Sequence, residues 1–98
     1  MSNEEYSRIC NQMDALIVRL GNDFKEDNPM VTELISLSEK ADFFYKQKHQ
    51  DGYIDMDITL EIRVIVTLIV ESRRKGVTVS ELANEIMDRC VREWTDKP

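Results

Sequence analysis

The chain has 98 residues, enough for one domain and too few for two, and its 42% hydrophobic and 33% charged residues describe a globular protein rather than a disordered tail. Its net charge of −6 lies entirely in one half: residues 1–57 carry six Lys/Arg against twelve Asp/Glu, and residues 58–98 carry seven against seven. That balance argues against nonspecific nucleic-acid binding, which needs a basic surface to neutralise phosphates. It suits a basic partner instead.

The first element opens on Ser2 with Glu5 three places later, a capping-box pattern in which each side chain can satisfy the other's free backbone N–H. Tyr6, Ile9, Cys10, Met13, Leu16, Ile17 and Leu20 follow on a single helical face, and Gly21 provides the stop. A helix is predicted over 3–20. Residues 21–28 form a polar, acidic loop ending in Asn28-Pro29, an N-cap side chain followed by a residue whose fixed φ suits the first helical position. Val31, Leu34, Ile35, Ser38, Ala41, Phe44 and Tyr45 continue at helical spacing until Asp51-Gly52. This predicts a second helix over 29–49.

Between Ile54 and Val70 every even-numbered residue is apolar, the pattern of a strand with one face buried. Seventeen residues without a turn signal are too long for an ordinary strand, and no second strand is evident to pair with it. Ile58, Ile62, Ile65, Leu68 and Ile69 also fit one helical face. The third helix is therefore predicted over 57–74, after a short extended piece at 53–56. Arg73, Arg74, Lys75 and Gly76 end it as helices end. Thr78 with Glu81 repeats the capping box, and Val79, Leu82, Ala83, Ile86, Met87, Cys90, Val91 and Trp94 predict a fourth helix over 79–95. The expected fold is all-α, a small antiparallel four-helix bundle in one domain. The third helix carries more apolar surface than three neighbours can cover, so a homodimer through it is expected.

Chemistry-bearing patterns are few. Placing Gly52 at the sixth position of a calcium loop puts Gln47, His49 and Ile58 where the first, third and twelfth ligands belong, so hard-cation ligation fails. Cys10, Cys90 and His49 show no CxxC or HxxxH spacing, and zinc is not expected. Glu85-Ile-Met-Asp88 resembles half of the acidic pattern with which all-helical pyrophosphohydrolases of the MazG family hold magnesium; the partner E-x-x-E on an earlier helix is absent. No nucleophile elbow or phosphate loop occurs, so neither a cofactor nor enzyme activity is expected.

The stretch from Leu68 to Met87, with its Val-Ser-Glu-Leu-Ala run, resembles the opening of a helix-turn-helix or winged-helix module, without the recognition helix that should follow. That resemblance makes Arg73, Arg74, Lys75, Arg89 and Arg92 the residues of an alternative reading, a dimeric nucleic-acid-binding regulator. The first reading is a small acidic, non-enzymatic regulator or inhibitor of the immunity-protein, antitoxin or phage-inhibitor sort. It grips a basic protein surface through Asp23, Phe24, Glu26, Asp27, Asp51, Asp55 and Asp57. Phe24, ringed by acids, is either an anchor for the partner or a residue tucked between the first two helices. No targeting segment or membrane span is visible in the sequence, and a cytoplasmic setting is expected.

Overall fold

The computed structural model describes every residue except 1, 2, 22, 23, 26, 49, 50, 55, 97 and 98. Four helices succeed one another: α1 (Asn3–Leu20), α2 (Pro29–Lys48), α3 (Ile62–Lys75) and α4 (Val79–Thr95). There is no strand among the described residues, and the architecture is an all-α four-helix bundle.

The local signals act as their chemistry requires. Asn28 Oδ1 accepts a hydrogen bond from the Met30 N–H at 3.0 Å, capping α2 just before Pro29. At the start of α4 the Glu81 N–H donates to Thr78 Oγ1 at 3.2 Å while the Thr78 N–H donates to Glu81 Oε2 at 2.9 Å, completing the capping box. Gly76 closes α3 with φ 73°, a left-handed conformation that costs a residue without Cβ little. The expected Ser2 cap of α1 lies outside the described residues.

The core is built by three helices. Ile9, Cys10, Met13, Leu16 and Leu20 of α1 meet Val31, Leu34, Leu37 and Ala41 of α2 and Val66 and Ile69 of α3. Leu34, Val31, Val66 and Ile69 are the largest fully buried side chains, and they mark the centre of the bundle. At one end Tyr6 stacks on Phe44, ring centroids 4.7 Å apart. Phe24 packs against this core from the loop between α1 and α2.

The third helix differs from its expected bounds. It begins at Ile62, and residues 56–61 precede it without helix or sheet. In a helix, Ile54, Met56, Ile58 and Leu60 would scatter over opposite sides, whereas Ile62, Ile65, Val66 and Ile69 share one face that can meet the core. Ile58 would fall on that face as well, but Ile62 is the first residue of the run that packs against the core. Glu61, at its N-cap, makes no side-chain capping bond.

α4 is joined to the rest at its first turns. The Ser80 N–H donates to Asp42 Oδ1 at 3.0 Å, so a carboxylate of α2 sits on the positive end of α4. Among the described residues of α4, Leu82 alone is buried in the core. The radius of gyration is 14.6 Å, against roughly 13 Å for a compact domain of 100 residues.

Candidate interaction surfaces

The acidic half presents two sequences of interest. In the loop after α1, Asp27 is exposed while Phe24 is half-buried against the core, so Phe24 fastens its own loop. Asp23 and Glu26 lie outside the described residues. After α2 the chain turns at Asp51-Gly52, where Gly52 takes φ 82°. Tyr53 then lies edge-on to Tyr45, centroids 6.3 Å apart. Burial, together with hydrogen bonding to Tyr53, pushes the Tyr45 phenol up to about 12.

Among the described residues from Ile54 to Leu60 the side chains face water. Ile54 is 92% exposed and Met56 79%, and Ile58 and Leu60 are exposed as well. Asp51 and Asp57 are exposed beside them; Asp55 lies outside the described residues. Residues 51–61 contain four carboxylates, Asp51, Asp55, Asp57 and Glu61, and no Lys or Arg. Charge alone assigns Asp51, Asp55 and Asp57 to a partner surface and misses the apolar residues among them. The sequence does not mark their exposure, because the alternation that begins at Ile54 runs on to Val70, through the buried Val66.

The basic residues of the alternative reading each face a carboxylate. Arg73 grips Asp14 of α1 through two hydrogen bonds, Nε to Oδ1 at 2.8 Å and Nη2 to Oδ2 at 3.2 Å. That hydrogen bonding raises the guanidinium pKa further. Arg74 pairs with Glu71 at 2.8 Å, Lys75 and Arg89 both reach Glu85 at 3.4 Å, and Arg92 pairs with Asp88 at 3.0 Å. The structure thus brings these cations together with acids rather than into an unopposed patch. Near Arg73, the Tyr6 phenol is pushed up to about 12, chiefly by burial and then by Cys10 and Glu81. It holds its proton at neutral pH.

A third surface is not singled out by charge or motif. From Ile86 onward the apolar face of α4 is left uncovered by the described residues: Ile86, Met87, Val91 and Trp94 are all exposed, Trp94 by 69%. Exposed apolar residues thus lie on α4, on residues 54–60 and, at Val64, on α3, while Val66 and Ile69 of α3 are buried.

A shallow depression of about 450 Å³ is lined by Asn3, Glu4, Ser7, Arg8 and Asn11, all on the outer side of α1. Its lining holds one carboxylate, Glu4, and one hydroxyl, Ser7, on a single exposed helix face. Among the described residues no group of three or more His, Cys, Asp or Glu is placed to hold a metal ion, and no helix is long and apolar enough to cross a membrane. Comparison with protein-family models, with curated proteins and with solved structures finds no match to this chain.

Proposed function

We propose that this protein is a non-enzymatic binding module, a regulator or inhibitor acting in the cytoplasm, that engages a basic protein surface through its acidic half. The segment 51–61 is the centre of that contact, with Asp27 and its loop at the periphery. One observation carries the reading: Ile54 and Met56 stand almost fully in water within a run whose only charges are negative. Apolar side chains set among like charges supply the desolvated anchors and the long-range attraction that a basic partner requires.

The nucleic-acid reading has less behind it. Its cations are each engaged by a carboxylate, and Glu85, Asp88 and Glu93 of α4 would meet the phosphates along with Arg89 and Arg92. On α3, Val66 and Ile69 are covered within the chain and Val64 is exposed.

The test places a photo-cross-linking residue at Met56 or, as a control of similar exposure, at Val18 on the outside of α1 (79% and 82% exposed). In extracts of the native host the Met56 probe traps a basic protein that the Val18 probe does not, and trapping weakens as salt is raised. Equal trapping at both positions, or none at Met56, removes the proposal.

A further inference from the structure

The outer half of α4 is an amphipathic helix whose apolar face is left open by the described residues of the chain. Ile86, Met87, Cys90 and Trp94 recur at steps of one, three and four, one stripe along a helix, with Val91 at its edge. Three of them are exposed and Cys90 is half-buried. The stripe is continuous with Leu82, which is buried against the rest of the bundle. We infer that a second copy of this chain covers it, the two α4 helices packing antiparallel about a two-fold axis near Cys90. This inference does not depend on the acidic surface proposed above.

Three observations select a second copy as the occupant. The first is charge. α4 carries Glu81, Glu85, Asp88 and Glu93 against Arg89 and Arg92, and helical spacing sets Glu81, Glu85 and Asp88 on the side away from the stripe, so two copies meet there with less repulsion than the −6 of residues 1–57 would impose. The second is self-complementarity. In an antiparallel pair centred on Cys90, levels 86 and 94 face each other, so each Trp94 meets Ile86 and Met87 of the other copy. Arg89 and Glu93 border the stripe on one side, and a two-fold axis sets each near its opposite charge on the other helix.

The third is size. Ile86, Met87, Val91 and Trp94 expose on the order of 400 Å² between them, close to the apolar share of the roughly 800 Å² that each partner contributes to an interface of ordinary size. The elongated shape of the single chain agrees, because a helix that stands away from its own core is available to another.

The geometry makes Cys90 its own reporter. At a two-fold axis the two thiols come close enough for a copper–phenanthroline oxidant, with dissolved oxygen taking up the electrons, to join them as a disulfide, while Cys10 is buried in the core of its own chain. The full chain should sediment at twice the monomer mass, and the oxidant should link it into a covalent dimer that Cys90→Ser abolishes. Trp94→Lys and Met87→Glu, both at exposed positions, should halve the sedimenting mass while the helical circular dichroism is unchanged. A monomer at every attainable concentration overturns the inference. So does a dimer that survives both substitutions, or one that does not cross-link through Cys90. The cross-link is read on the unsubstituted helix, so it decides the matter even if a charged substitution disturbs folding.

Discussion

In α1 the stripe Ile9, Cys10, Met13, Leu16 and Leu20 is buried along its length, whereas in α4 an equally regular stripe buries Leu82 alone. Both helices are amphipathic, and α4's capping box is complete. What separates them is company. α1 lies along α2 from the Tyr6–Phe44 stack to Leu20, while α4 meets α2 and α3 where Asp42 and the turn at Gly76 hold its first turns. Apolar periodicity says that a face avoids water, and leaves open whether the same chain, a second copy or another protein supplies the cover.

The contrast is sharpest for truncation. Leu34→Ala removes a fully buried side chain at the centre of the bundle and should lower unfolding free energy by about 3 kcal/mol, within the usual range for such cavities. Val18→Ala on the exposed side of α1 should change it by less than about 0.5 kcal/mol. Urea unfolding of the two variants measures the gap; equal losses would mean that the packed and open faces are not distinct. The next effect is one of pH. Tyr6 and Tyr45 keep their protons in the native state up to about 12, against 10.0 for an unperturbed phenol. Between those values the native state binds more protons than the unfolded chain. Stability is then unaffected below pH 10 and falls as pH rises toward 12. Tyr6→Phe should flatten that decline, as followed by urea midpoints across the same range.

How much of this is legible in the sequence follows the same division. Caps, proline and glycine act locally, so the residues alone bound α1 and α4 at their observed ends and α2 within one residue. The start of α3 lies five residues beyond its expected place, since Ile58 fits the same helical face as Ile62 and Ile65 and gives no reason to stop there. Only the position of the core decides it. The hydrogen bonds that fix the helices to one another, Asp42 to Ser80 and Arg73 to Asp14, join residues 38 and 59 positions apart and leave no local trace. For the same reason the acidic residues of 51–57 are legible as charge, while the exposure of Ile54 and Met56 beside them is not.

Those attachments rank below the core. Thr78→Ala removes the buried hydroxyl that caps α4 and should cost about 1 kcal/mol. Hydrogen exchange should show the loss concentrated in the first turns of α4, leaving α1 protected; uniform loss would mean that α4 does not unfold separately. Arg73→Met should cost less, roughly 0.5 kcal/mol, because Asp14 is half-exposed and water screens the pair. The double variant with Asp14→Asn separates this coupling from the packing of the arginine stem.

The smallest effect on stability is the most informative. Ile54→Ser exchanges an apolar side chain that is 92% exposed, so folding forgoes almost no burial and the unfolding free energy should move by less than about 0.5 kcal/mol. If residues 51–61 serve a partner, the same substitution should weaken that partner's capture through Met56, because Ile54 leaves water only when the complex forms. A matching exchange at Trp94 should instead act on self-association and leave that capture unchanged. Were Ile54→Ser to destabilise the isolated chain by as much as Leu34→Ala does, the segment would belong to the core and not to a surface. The acidic residues around it would then be without the apolar anchors that set them apart from an ordinary solvated face.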